Sequence, residues 1–142
     1  MRILVIENNE KIRLKICKIV RNEDFEVFEA SNGIEGIEKA EKLIPDLIIA
    51  DKSSSIAGGF QFVKTLKKSV YTQNIPLIFL LNSSSQMNFL YTVKSQADDI
   101  LVKPILSEDL LFSIQRIIDR NFKLDQILIN YGINMTKLTT IR

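Results

Sequence analysis

The stretch Asp46-Leu-Ile-Ile-Ala-Asp51-Lys-Ser-Ser-Ser-Ile-Ala-Gly-Gly-Phe60 decides the fold of this 142-residue chain. Its apolar run, residues 47–50, is short and bounded by turn-forming residues, which predicts a buried central strand. Asp51 then stands at the carboxyl end of that strand, where open α/β sheets place their ligand sites. Taken alone, the stretch leaves open a structural role for Asp51, as a helix cap or a turn residue.

Four more strands are predicted around this one, and helices separate them. Apolar runs of strand length occupy residues 2–6, 25–30, 77–81 and 99–102, whereas residues 10–21, 34–43, 60–68 and 86–96 have helical spacing, and a long helix starts with Ser107 as its N-cap. This alternation predicts an α/β fold, in which βαβ crossovers build a parallel sheet with helices on both faces. Of the doubly wound arrangements, the five-stranded order 2-1-3-4-5 suits this length.

Three charged side chains follow the ends of strands in this predicted sheet. In the order 2-1-3-4-5 the topological switch point lies between the first and third strands, which end at Glu7 and Asp51. The fifth strand brings Lys103 to the same edge. The topology therefore predicts that two acids and one lysine, from three distant segments, meet in one crevice.

Composition narrows the class of protein. The chain is 46% hydrophobic and 25% charged, as expected of one soluble globular domain, and no apolar run reaches the length of a membrane span. The apolar start reaches Glu7 too soon for a signal peptide, and a net charge of +2 gives no argument for direct nucleic acid binding. Cys17 is predicted to be a core residue in a reducing compartment, which favours a cytoplasmic location. The absence of histidine excludes histidine-based zinc sites and histidine phosphotransfer within this chain.

As a spaced set, these motifs resemble the receiver domain of two-component response regulators, of the chemotaxis-regulator type. The resemblance runs in unbroken order through residues 1–120 and implies a flavodoxin-like fold with the same strand order. The matching motifs, besides Glu7 and the stretch 46–60, are Ala30-Ser-Asn-Gly33, Ile75-Pro-Leu-Ile78 and Ala97-Asp-Asp-Ile-Leu-Val-Lys-Pro104.

The resemblance implies a function for each residue at the predicted crevice. Asp51 would be the phosphoacceptor, and Lys103 would pair with it and then with the phosphoryl oxygens. Mg²⁺ would be held by Glu7, Asp51 and the backbone carbonyl of Ser53. The phosphoryl donor would be a histidine kinase or a phosphotransfer protein, and the chain would be a regulatory phosphoacceptor, capable of self-catalysed phosphorylation and dephosphorylation, rather than an enzyme.

Three positions depart from the family's pattern. Asn8 stands where the family has a second acid, so that an amide oxygen without charge faces the ion, and weak Mg²⁺ binding is expected. Leu81 replaces the Thr or Ser that binds the phosphoryl group at the end of the fourth strand. Ile100 replaces the usual aromatic residue of the switch, three residues before the lysine. The coupled hydroxyl-and-aromatic switch is therefore degenerate at both ends.

These departures leave two functions open. One is a receiver that is phosphorylated on Asp51, with weakened Mg²⁺ binding and an altered switch. The other is a pseudo-receiver, a phosphorylation-independent module for protein interaction or dimerisation on the same fold. The presence of both Asp51 and Lys103 favours the first.

The last helix is predicted to extend beyond the domain. Its apolar and core-type residues alternate in spacings of three and four, which suits a two-stranded coiled coil and a homodimer; they are Ile114, Ile117, Asn121, Leu124, Leu128 and Tyr131. We expect Ile114 and Ile117 to pack on the chain's own sheet and the later residues to need another partner. Gly132 predicts that the helix ends near Tyr131. Residues 1–120 would form the receiver domain, and residues 121–142 a helical extension and tail, with a linker to an output domain as one candidate role.

Overall fold

The computed structural model describes residues 1–52, 59–82 and 97–132, and the side chains of residues 59 and 60 are not described. Strands and helices alternate through these residues as the apolar spacing predicts. The strands are β1 (Arg2–Ile6), β2 (Glu26–Ala30), β3 (Leu47–Asp51), β4 (Leu77–Leu81) and β5 (Asp99–Val102), and the helices are α1 (Glu10–Arg21), α2 (Gly33–Leu43), α3 (Gly59–Lys68) and α4 (Ser107–Asn130). The helix predicted at 86–96 lies outside the described residues.

The five strands form one parallel sheet in the order β2-β1-β3-β4-β5. The predicted order and the flavodoxin-like α/β class are both confirmed. The register aligns Ile6 with Ala50 and Leu81 with Val102, so that the strands end at nearly the same level. Because all strands are parallel, the residues that follow them meet at one edge of the sheet.

Core packing covers both faces of the sheet, since alternate strand residues point to opposite sides. On one face, Ile3 and Val5 pack with α1 and α4; Cys17 is fully buried there, as predicted. On the other face, Leu4 and Ile6 pack with residues of α2 and α3. Among the described residues, helices therefore cover both faces of the sheet.

The turns that follow β1 and β2 are fixed by helix caps. Asn9 is the N-cap of α1, where its Oδ1 accepts a hydrogen bond of 3.0 Å from the backbone N–H of Ile12. At α2, the Glu35 carboxylate accepts hydrogen bonds from the backbone N–H and the hydroxyl of Ser31, at 3.0 and 2.9 Å. The bond from the Ser31 N–H is the main cause that lowers the pKa of Glu35 to about 2.

Helix α4 begins one residue away from its predicted cap. The assignment of Ser107 as the N-cap is wrong, because Leu106 holds that position and its carbonyl accepts the first helical bond, from the N–H of Leu110 at 3.1 Å. Leu106 has no side-chain oxygen to cap the helix. Glu108 and Asp109 in the first turn instead complement the positive end of the helix dipole.

Helix α4 divides into a packed half and an exposed half. Ile114 and Ile117 are each 1% exposed against the sheet, as expected, whereas Leu124 and Ile127 are about half exposed at 52% and 51%. The C-cap lies at Tyr131, which confirms the predicted end of the helix. None of the helices in the described part of the chain combines the length and the apolar character needed to cross a bilayer.

Candidate functional site

The three charged residues predicted at the edge of the sheet lie together. The Lys103 Nζ atom is 2.5 Å from Glu7 Oε1 and 2.9 Å from Asp51 Oδ1. One ammonium therefore bridges the carboxylates that follow β1 and end β3. The predicted crevice of two acids and one lysine is present in the structure.

Burial makes this ion pair unusual. The side chains of Glu7 and Asp51 are fully shielded from solvent, and that of Lys103 is 13% exposed. Desolvation is the largest single effect on Lys103 and by itself disfavours the ammonium. The hydrogen bonds and charges of Glu7 and Asp51 together outweigh it, and the pKa of Lys103 is raised above its ordinary value. The site therefore holds a charged lysine between two acids.

Backbone contacts fix the end of β1. The N–H of Glu7 donates to the carbonyl of Ala30 at 3.0 Å, and the carbonyl of Glu7 accepts a bond of 2.8 Å from the Arg13 guanidinium. Arg13 also forms an ion pair with Glu29 on β2, with Nε 3.1 Å from Oε1. Arg13 is not among the site residues predicted from the sequence. The available signal was its position on the helix that directly follows the site's first strand.

Lys103 is held by the sheet itself. It is the first residue after β5, and its backbone N–H donates to the carbonyl of Leu81 at 2.8 Å. This bond extends the pairing of β4 and β5 by one residue. It fixes the point from which the lysine side chain reaches across β4 to the acids.

The remaining predicted site residues lie in different surroundings. The Asn8 side chain is exposed, in contrast to the neighbouring Glu7. Leu81 is fully buried at the end of β4, and Ile100 is partly buried against the core on the α2 and α3 face. Ser53 lies outside the described residues. The edge of the sheet is thus charged at β1 and β3 and apolar at β4.

The donor atoms suit a hard cation. Two carboxylate oxygens lie within hydrogen-bonding distance of one nitrogen, and carboxylate oxygens are the ligands that Mg²⁺ prefers. Within residues 1–52, 59–82 and 97–132, no group of three or more acidic, cysteine or histidine side chains is placed to hold a metal. A cation at this site would therefore have two carboxylates, with amide, carbonyl and water oxygens completing its coordination.

Known proteins match this chain over most of its length. The family model described as the response regulator receiver domain matches residues 3–115. The phosphate regulon transcriptional regulatory protein PhoB of Klebsiella pneumoniae is 29% identical over 119 residues, which cover 84% of this chain and 52% of PhoB. The chain thus spans about half the length of that relative.

Solved structures match as well. The chemotaxis response regulator CheY4 of Vibrio cholerae has a TM-score of 0.75 and 28% identity, with 82% of this chain and 97% of that one covered. The receiver domain of a Pseudomonas aeruginosa sensor histidine kinase, solved with a magnesium ion coordinated in its active site cleft, has a TM-score of 0.75 and 23% identity, with 83% and 97% covered. At that identity the second match supports the fold alone.

Proposed function

Because the chain belongs to the response regulator receiver domain family of two-component signalling, we propose that it accepts a phosphoryl group on Asp51. The observation that carries this proposal is the buried Asp51 carboxylate at the end of β3, with the Lys103 ammonium 2.9 Å away. A carboxylate oxygen of Asp51 forms the bond to phosphorus, while the bond from phosphorus to the donor atom breaks and its electron pair leaves with the donor. The product is an acyl phosphate.

Lys103 provides the fixed positive charge for this step. Phosphoryl transfer depends mostly on positioning and on neutralisation of the oxygens that carry charge. The ammonium already contacts Asp51 and is held by Glu7, so little rearrangement is needed to bring it to a phosphoryl oxygen. The raised pKa keeps it charged at neutral pH.

Mg²⁺ is the cofactor we propose, with weakened binding. Glu7, Asp51, the backbone carbonyl of Ser53 and the amide oxygen of Asn8 would hold it. When bound, the ion adds positive charge beside the phosphoryl oxygens. Asn8 supplies no negative charge where the family has an acid, and Lys103 already occupies both carboxylates, so the ion competes with an ammonium for its ligands.

The signalling route is proposed to be altered. Leu81 has no hydroxyl to bond a phosphoryl group, and Ile100 has no aromatic ring to change position with it. A ligand shifts a conformational equilibrium only through contacts that differ between the two states. Phosphorylation at Asp51 would thus be transmitted by a route other than β4, with Lys103 as the first contact of the phosphoryl group.

The remaining proposals concern context. The phosphoryl donor would be a histidine kinase or a phosphotransfer protein, since this chain contains no histidine of its own. The chain would act as a regulatory phosphoacceptor in the cytoplasm rather than as an enzyme on other substrates. Residues 1–120 would form the receiver domain, and residues 121–142 the extension and tail.

A phosphorylation-independent pseudo-receiver is the second candidate. It is favoured by one observation: Leu81 is fully buried at the position where the family has its phosphoryl-binding hydroxyl. A protein on this fold that only presents a surface to a partner would need no hydroxyl there.

Mass spectrometry separates the two candidates. After incubation with a small acyl phosphate and Mg²⁺, the proposed receiver gains one phosphoryl group, and Asp51→Asn gains none. Asp46→Asn, at the opposite end of β3, is the matched control and keeps the modification. An unmodified parent chain, tested over a range of Mg²⁺ concentrations, would favour the pseudo-receiver.

Self-association through α4 is a separate proposal about partners. Leu124 and Ile127 are half exposed, and burying a leucine contributes about 1.5–3 kcal/mol. Leu124→Glu should therefore abolish a dimer that sedimentation detects in the parent. Phe122→Glu is the control, because Phe122 is 62% exposed on a different side of the helix. A parent that is monomeric at high concentration would contradict this proposal.

A further inference from the structure

We propose that Arg13 is a positioning residue for the site, acting through the backbone of Glu7. Its guanidinium joins the end of β1 to the end of β2, with one nitrogen 2.8 Å from the Glu7 carbonyl and another 3.1 Å from the Glu29 carboxylate. Its side chain is 16% exposed. The planar fork of an arginine suits this task, because it donates in two directions at once from a fixed geometry.

The need for such a residue follows from the position of Glu7. Glu7 lies just past the last paired residue of β1: its N–H still bonds to the Ala30 carbonyl of β2, but its own carbonyl accepts from Arg13. Its carboxylate must stay on Lys103 in a buried setting. The bond from the Asn9 N–H to the Glu7 carboxylate is long, at 3.5 Å, and holds the side chain weakly. The bond from Arg13 therefore holds the main chain of Glu7 in the orientation that aims its side chain at the site.

Glu29 in turn orients Arg13. Besides its ion pair with Arg13, the Glu29 carboxylate forms one with Arg21 at 3.5 Å. The Lys39 ammonium donates a hydrogen bond to the backbone carbonyl of Glu29. Arg21 approaches the same acid from the same helix but has no bond to Glu7 among the described contacts. The two arginines thus differ in whether they contact the site, and this difference provides a matched control.

Positioning and simple electrostatics predict opposite signs for one measurement. Arg13→Gln removes a positive charge near the acids, and by charge alone Mg²⁺ should bind more tightly. If Arg13 positions Glu7, Mg²⁺ should bind about tenfold more weakly, a loss typical of an outer hydrogen-bond partner of a metal ligand. Arg13→Lys keeps one donor and the charge, and it should recover part of the affinity.

The experiment is an NMR titration of the full chain with Mg²⁺, which also reports the amide signals of residues 7–9 without metal. Arg13→Gln should shift those signals and weaken binding, whereas Arg21→Gln should leave both unchanged. Tighter Mg²⁺ binding in Arg13→Gln, or an equal effect of Arg21→Gln, would overturn the proposal.

The functional meaning of this role for Arg13 rests on the proposed function. The NMR measurement that tests it does not depend on phosphorylation. The metal-free signals of residues 7–9 report the position of Glu7 whether or not Asp51 is ever phosphorylated. A parent chain that stays unmodified in mass spectrometry would contradict the phosphoacceptor proposal, and the role of Arg13 at Glu7 could still be measured. Unchanged signals in Arg13→Gln would contradict the role of Arg13 and leave the phosphoacceptor proposal intact.

Discussion

The carboxyl edge of the sheet contains two regions that differ in chemistry. At β1 and β3, Glu7 and Asp51 are buried and joined by the Lys103 ammonium, so the contacts in this region are electrostatic. At the end of β4, Leu81 is equally buried but has no polar atom in its side chain. Both regions belong to one parallel sheet, in which β4 pairs with β3 on one side and with β5 on the other. The difference lies wholly in the side chains.

The proposed function implies that binding and readout are separable on this fold. The charged region contains the two carboxylates and the ammonium that a cation or a phosphoryl group would contact. The Leu81 side chain has no polar atom whose contacts would change when that ligand arrives, and a contact that does not differ between two states shifts no equilibrium. A chain can therefore keep the acceptor and lose the usual route of response.

The strongest test of the charged region removes its ammonium. Lys103→Met leaves two buried carboxylates beside each other, and breaking a buried pair in this way costs about 3–5 kcal/mol of unfolding free energy. Urea denaturation at neutral pH in the presence of a chelator measures the loss. Adding Glu7→Gln to Lys103→Met removes one of the repelling charges and should restore part of the stability, because the buried Asp51 carboxylate still lacks its ammonium. A loss below about 1 kcal/mol would show that the region is not held by charge.

Rebuilding the apolar region tests the readout. Leu81→Thr should lower the unfolding free energy by about 3 kcal/mol, because it removes buried apolar volume and buries a hydroxyl. When beryllofluoride, a phosphoryl mimic, is added to the Leu81→Thr variant, changes in the NMR amide shifts should spread from residue 81 to Ile100. Leu81→Val has nearly the same shape without the hydroxyl and should confine the shifts to the site. Spreading shifts in the parent chain would contradict the proposed loss of coupling.

The metal site should respond to one added charge. Asn8→Asp should tighten Mg²⁺ binding at least about tenfold, which is ~1.4 kcal/mol, because a third carboxylate joins the two that are present. It should also speed modification of Asp51. Asn9→Asp is the control, since it adds the same charge one residue later and keeps the helix cap. If the parent chain already binds as tightly as Asn8→Asp, the charge argument is wrong.

The smallest effect is expected at an exposed acid on the same edge. The pKa of Glu35 is lowered to about 2, so its bonds stabilise the fold above pH 4.5, and this contribution is lost as pH falls from about 4.5 towards 2. Because its side chain is 38% exposed, the loss should stay below about 1 kcal/mol. Denaturation of the parent and of Glu35→Gln at pH 2, 4 and 6 measures it. A pH dependence that is the same in both would contradict the assignment.

Local sequence determined most of the fold. Apolar runs of four or five residues predict the strands and amphipathic spacing predicts the helices, because burial of one face is a requirement that each segment meets alone. The strand order and the meeting of Glu7, Asp51 and Lys103 followed from the rules of parallel sheets and from the family resemblance. The start of α4 was misplaced, since Ser107 is a good cap by type and only backbone geometry showed that Leu106 holds the position.

Tertiary structure alone decided how the site is held together. Sequence predicts that Lys103 approaches Asp51, but only the packed structure places its ammonium on Glu7 as well, at 2.5 Å. Arg13 and Glu29 meet through a helix and a neighbouring strand, and no spacing along the chain encodes that pairing. The physical reason is range: hydrophobic periodicity acts within a segment, whereas hydrogen bonds and ion pairs depend on a few ångströms between segments that only the assembled sheet and helices fix.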